Sequence, residues 1–199
     1  EFVSNVSHEL KTPLTSMKVL ADSINSMEDA PIELYKEFMG DIGNEVDRET
    51  KIINDLLSLV KMDKAAGDLN ITNININELL EQILKRLRPI ADKRNIDLIL
   101  DSFRPVEADV DELKFTSAIS NLVENAIKYN RSDGQVTVTV AKKDQNIIFS
   151  VADTGNGIPE ALKNKIFEPF FRIDKSRSRA LGGVGLGLAL VYEIVRVHN

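Results

Sequence analysis

His8, Glu9 and Thr12 are the residues nearest the start of this 199-residue chain whose types and spacing suit chemistry. They lie in the run SNVSHELKTPLTS, residues 4–16. Around it Phe2, Val6, Leu10, Leu14, Met17, Ala21 and Ile24 recur every three or four residues, the apolar stripe of a helix packed on other helices. His8 falls opposite that stripe, Thr12 lies on the same exposed side one turn on, and Glu9 lies on the flank. Pro13 cannot donate to the Glu9 carbonyl, which predicts a bend just beyond the histidine. An exposed imidazole beside a carboxylate and above a helix defect is a candidate nucleophile with its own base. An idle surface histidine fits the same wheel.

Four later stretches have the makings of a phosphate site. In NLVENAIKY, residues 121–129, Asn121, Asn125 and Lys128 share one helical face. An amide oxygen suits a magnesium ion that keeps waters and phosphate oxygens, and a lysine holds phosphate as a point charge. Taken alone, the stretch reads first as an amphipathic helix with a solvated polar face. In DTGNGIP, residues 153–159, two glycines permit a tight turn close to a flat ligand, and Asp153 can accept from an exocyclic amine such as that of adenine. Asp153 bonding its own backbone in an ordinary turn is the alternative. IFEPFFR, residues 166–172, leads into the basic run DKSRSR, residues 174–179. Together they suit a lid anchored by aromatics and meeting phosphates by its cations, or an ordinary surface loop with an apolar anchor. GGVGLGL, residues 182–188, leaves backbone N–H groups bare at the start of a helix, which favours phosphate. It is not a dinucleotide fingerprint, because no first strand of a βαβ unit precedes it.

Composition narrows the classes. A net charge of −6 without a long basic block argues against nucleic acid as main partner. The absence of cysteine excludes disulfides, thiolate zinc sites and cysteine nucleophiles, and it permits a reducing cytoplasm. No apolar run approaches a transmembrane span and no signal peptide is visible. The chain opens inside one helical pattern and stops inside another, as a piece of a longer protein would.

The elements that must position these residues follow from periodicity. Helices are predicted from Glu1 to about Met27 and, after a turn at Glu28, Asp29, Ala30 and Pro31, on to about Asp63. The second carries the stripe Leu34, Phe38, Ile42, Val46, Ile53, Leu56 and Val60. Two long helices joined by a short turn make an antiparallel hairpin, and pairing with a second copy into a four-helix bundle buries its stripe. Residues 64–68, KAAGD, read as a linker. Beyond it come a strand through Ile71, Ile74 and Ile76, a helix from Ile76 to Lys93, strands at 96–100 and 106–108, a helix from Asp111 to Tyr129 capped by Asp111, strands at 135–141 and 147–151, and a last helix from about Gly185 to Val197. Antiparallel strands mixed with helices indicate an α+β layer with helices on one face of a sheet.

The ordered series SHELKTP, NLVENAIKY, DTGNGI, FEPFFR and GGVGLGL resembles the bacterial two-component sensor histidine kinases, over residues 2–199. The resemblance implies a dimerisation and histidine-phosphotransfer hairpin over residues 1–66, forming a dimeric four-helix bundle. It implies an α/β sandwich ATP-binding domain of the gyrase, chaperone and mismatch-repair (Bergerat) type over residues 67–199, lacking C-terminal strands the family usually adds. It makes His8 the phospho-acceptor, Glu9 the group that polarises or deprotonates the imidazole, and Thr12 the residue that orients water when phosphate is stripped from a partner. Asn125 would coordinate Mg2+, with Asn121, Lys128 and Tyr129 around ATP. Asp153 would accept from the adenine amine, with Gly155, Gly157 and Ile158 lining the pocket. Arg172 and the lid would approach the γ-phosphate, Gly183, Gly185 and Gly187 would let the lid close over the phosphates, and Leu186 would join the nucleotide-binding residues. The implied activity is ATP-dependent autophosphorylation of His8, transfer to an aspartate of a response-regulator receiver domain, and phosphatase action on that regulator. The implied setting is a homodimer in the cytoplasm, belonging to a protein anchored in the inner or plasma membrane through segments preceding this chain. Val184 departs from the family by standing where Thr or Ser is frequent, and His198 has no assignable role. A GHL-type ATPase would share the nucleotide motifs without needing His8, Glu9 and Thr12 on one surface. A non-catalytic docking module would need neither set.

Overall fold

The computed structural model describes residues 2–27, 29–64, 69–102, 104–144, 146–174 and 183–198, without the side chains of 63 and 64. Most of the linker read at 64–68, all but Asp174 of the basic run at 174–179, and residues 180–182 lie outside the described residues, as does Glu28 of the first turn.

Helix α1 spans Phe2–Asn25 and runs through Pro13; helix α2 spans Ile32–Lys64. They pack side by side as the expected hairpin. The predicted stripe of α1 is only partly covered within one chain: none of its residues is buried, the one buried residue of the helix is Pro13 outside it, and Leu14 stays 55% exposed. The stripe read on α2 needs correction in its second half. Ile52, Leu56, Leu59 and Met62 are buried, whereas Val46, Ile53, Leu57 and Val60 are exposed. The C-terminal half of α2 is apolar on two faces, and the one that touches the rest of this chain is not the one that continues the first-half stripe.

Strand β1 (Ile71–Asn75) pairs antiparallel with β3 (Glu107–Asp111) in a two-stranded sheet. Strands β2 (Asp97–Asp101), β4 (Gln135–Lys143) and β5 (Asn146–Asp153) form a second sheet in the order β2-β4-β5. The hairpin β4–β5 is antiparallel as expected, but β2 runs parallel to β4, so the sheet is mixed. Strand β3 and helix α4 (Glu112–Lys128) lie between them and form the crossover that a parallel pair requires.

Helix α3 (Ile76–Asp92) starts one residue after β1 because Asn75 caps it, accepting from the N–H groups of Asn77 and Glu78 while its own amide donates to the Glu78 carboxylate. Seven of its apolar side chains, Leu80 among them with no exposure, meet α4 and the inner faces of β2 and β4 in the main core. Asp111 caps α4 through the Lys114 N–H. Burial alone would raise this carboxyl, but hydrogen bonds from Lys114 and the Asn70 N–H hold it below the usual carboxylate range. The closing helix α5 (Gly187–His198) lies on α4 and α2. His198 has a structural place: Nε2 accepts the Asp111 N–H at 3.1 Å, and Nδ1 lies 2.7 Å from the Ile194 carbonyl oxygen. It pins the end of α5 to the start of α4.

Candidate active site

A cavity of about 540 Å³ opens between α4, the end of β5, the segment around 166–174 and the start of α5. Helix α4 brings Asn121, Asn125 and Lys128 to its wall by their shared face, with Tyr129 as the helix ends. Asp153, last residue of β5, stands opposite with Gly157 and Ile158. Arg172, Gly183, Gly185, Leu186 and Gly187 complete the lining. Of the residues expected around a nucleotide only Gly155 is not in the wall, and it supports the wall from behind: its N–H donates to Asp153 Oδ1 at 2.8 Å. The turn bond read as an alternative for Asp153 is therefore made, by one of its two oxygens.

Backbone geometry explains two of the glycines. Gly185 has φ +85°, and a Cβ there would lie 2.7 Å from the Phe171 carbonyl oxygen. Gly187 lets the first turn of α5 approach α4 so closely that a Cβ would sit 2.7 Å from Asn121 Oδ1. Val184, where a hydroxyl was missed, is buried in the second apolar cluster beside Leu186, Leu190 and Ile52. Val184 also lines the cavity, so it stands between the apolar cluster and the site. The aromatic anchor is Phe170, buried and 5.5 Å from the ring of Phe2 on α1.

Several residues in and around the cavity were not singled out from sequence. Asn130, buried just after the helix, donates to the Gln135 carbonyl and accepts from the Thr154 hydroxyl, while Thr154 Oγ1 accepts the Gln135 N–H. This network fixes the end of α4 against the turn after Asp153. Arg48, Lys51 and Asp55 of α2 also line the cavity. Their spacing of three and four residues marked one stripe of α2, but not where that stripe points. Burial lowers the Lys128 ammonium to about 8, with the nearby charges of Lys51, Arg48 and Arg94 adding to the fall and Glu124 opposing it. Asp55 is pushed up, chiefly by burial.

His8, Glu9 and Thr12 lie outside the cavity wall. His8 and Thr12 are exposed, and the Thr12 hydroxyl donates to the His8 carbonyl at 3.1 Å. Glu9, expected on an open flank, is instead held in an ion pair. Its carboxylate lies 2.6 Å from Arg172 Nη2 and 3.4 Å from Nη1, with side-chain exposures of 12% and 6%. Arg172 Nη1 also donates to the Gly183 carbonyl.

Residues 1–65 match the His Kinase A (phospho-acceptor) domain, and residues 110–199 match the histidine kinase-, DNA gyrase B- and HSP90-like ATPase. The chain belongs to the histidine kinases. This histidine-kinase core is 37% identical over 202 residues to a sensor protein kinase WalK of Staphylococcus aureus, covering all of this chain and 48% of that protein. It spans half or less of the curated relatives it matches, down to 33% of the WalK of strain JH9. The Acinetobacter baumannii histidine kinase AdeS has a similar structure, with TM-score 0.75, 25% identity and coverage of 96% of this chain and 86% of that one. So has histidine kinase ThkA in complex with response regulator protein TrrA, with TM-score 0.71, 28% identity and coverage of 86% and 50%. The histidine-kinase fold is thus a helical hairpin followed by an α/β sandwich ATP-binding domain, with the mixed sheet seen here.

Proposed function

We propose that this chain is the catalytic core of a sensor kinase that phosphorylates its own His8 from ATP and passes the phosphoryl group to an aspartate of a response regulator. The observation that carries this reading is the Glu9–Arg172 ion pair. It joins the residue beside the candidate acceptor to a residue of the cavity wall, two sites 163 positions apart. Asp153, through the oxygen left by Gly155, accepts from the adenine amine. Asn121, Lys128 and Tyr129 hold the rest of the nucleotide.

Among the described residues no three His, Cys, Asp or Glu side chains are grouped to hold a metal. The neutral Asn125 amide in the wall fits Mg2+ that keeps water and phosphate oxygens as its other ligands. Such an ion, held by Asn125, would supply charge neutralisation to the phosphates. In the reaction a neutral imidazole nitrogen of His8 attacks the γ-phosphorus, the bond to the ADP oxygen breaks, and the imidazole proton passes to Glu9. Glu9 is free to take it once Arg172 exchanges the carboxylate for phosphate. Positioning supplies most of the rate.

The exposed Val46, Ile53, Leu57 and Val60 on α2, with Leu14 on α1, support a homodimer through the hairpin. Residues 1–66 then serve as the dimerisation and phosphotransfer domain and 67–199 as the ATP-binding domain. ThkA, solved with its regulator, supports a receiver-domain partner. No described helix is long and apolar enough to cross a membrane. The proposed anchor lies in other segments of the protein, with this core on the cytoplasmic side.

Incubation with γ-labelled ATP and mapping of the label tests the reading. Acid-labile phosphate on His8 is expected, and hydrolysis without protein-bound label would indicate an ATPase instead. Thr12 serves the reverse step, holding water in line on the regulator's phosphoaspartate. Thr12→Ala is expected to keep autophosphorylation near normal while losing phosphatase action. The opposite pattern would overturn that division.

A further inference from the structure

One wall of the cavity comes from α2, an element of the hairpin and not of the ATP-binding domain. Arg48, Lys51 and Asp55 stand there on one stripe. The Lys51 ammonium lies 2.6 Å from Glu124 Oε2, next in sequence to Asn125. Arg48 meets Glu45 only at 3.7 Å, and its buried Nε has no hydrogen-bond partner. Lys128 faces the same cavity from α4 and is close enough to feel both cations. Cations thus converge from two walls on one space. Glu124, Asp55, Asp153 and Asp174 are the carboxylates in the lining, and Glu124 and Asp153 are already engaged. Like charges crowded at a partly buried site repel each other, and a polyanion placed among them relieves that repulsion.

We propose that Arg48 and Lys51 are part of the nucleotide site, contacting the polyphosphate from the hairpin while the ATP-binding domain holds the base, so that the docked hairpin itself raises affinity for ATP. This rests on the nucleotide reading of the cavity. It gives two residues of the phosphotransfer domain a role in binding, and it makes nucleotide affinity depend on how the two domains sit. The competing role for Lys51 is a brace between α2 and α4, and an exposed pair of this kind contributes little.

The test uses the whole 199-residue chain with magnesium and measures displacement of a fluorescent ATP analogue by ATP and by adenosine, which lacks phosphate. Lys51→Gln and Arg48→Gln are each expected to weaken ATP about three- to tenfold, as lost charge-assisted contacts at a part-exposed site would. Adenosine should bind as before. Lys51→Arg should restore ATP affinity. Glu124→Gln removes the brace but frees the ammonium, so ATP should bind as well or better. Equal losses in Lys51→Gln and Glu124→Gln would reduce Lys51 to a brace and overturn the inference. So would unchanged ATP affinity in both cation variants while Asp153→Asn still abolishes adenosine binding. Asp153→Asn without effect on either ligand would strike the nucleotide reading itself.

Discussion

Around the cavity, Asp153, Asn130 and Thr154 are tied to backbone groups, and α4 is capped at one end by Asp111 and bound at the other by Arg94 through the Lys128 carbonyl. On α1, His8 stands exposed, and Thr12 one turn on bonds the His8 carbonyl within the helix. On the proposed function the difference teaches how labour would be divided. A donor site must hold a flexible, highly charged molecule in one pose, and preorganised groups do that without reorganising during the reaction. An acceptor that meets first the nucleotide and then a second protein must stay open to both. The Glu9–Arg172 pair is where the open side touches the closed one.

The sharpest break of this comparison is His8→Gln. It should abolish protein labelling from γ-labelled ATP while leaving nucleotide affinity and the circular dichroism spectrum unchanged, because nothing in the cavity wall depends on that side chain. Labelling that persists would place the acceptor elsewhere.

Asn125→Ala is the matching break on the closed side. Magnesium-dependent nucleotide affinity should fall about tenfold or more, and phosphorylation with it. The helix should survive, since Ala is the better helix former. Equilibrium binding with and without magnesium distinguishes this from an effect on the base.

Stability should show the same contrast. Leu80 has no exposure, so Leu80→Ala should cost about 2–5 kcal/mol in denaturant unfolding. Leu14 is 55% exposed in the single chain, so Leu14→Ala should cost little at low protein concentration. Its cost should grow at concentrations where a dimer forms, because association stabilises by mass action.

The smallest effect concerns pH. The Lys128 ammonium titrates near 8 in the folded chain, below its ordinary 10.5. Below the folded value the charged form is held at a cost to stability, and that cost is relieved as pH rises from about 8 towards 10.5. Bound phosphate favours the charged form. Nucleotide binding at pH 8 should therefore take up about half a proton, and affinity should fall as pH rises through 8. Calorimetry in two buffers of different ionisation enthalpy measures the uptake, and Lys128→Met should remove it.

Most of the elements were legible because their causes are local. The caps at Asn75 and Asp111, the stripe of α3 and the alternation along β4 each act within a few residues. The cavity residues were legible for a related reason: each set sits in one short run whose spacing already puts it on one face or turn. What sequence could not carry was any relation between runs. The parallel pairing of β2 with β4, the choice of which apolar face of α2 is buried, and the meeting of Lys51 with Glu124 across 73 positions depend on how layers stack. The withdrawal of Glu9 from solvent belongs with them. On its helix it is a flank residue like any other, and only the arrival of Arg172 makes it half of a buried pair. Periodicity fixes which residues share a face, because backbone geometry repeats along the chain. Which face meets which partner is decided by packing among distant segments, and charge pairs form wherever that packing leaves them.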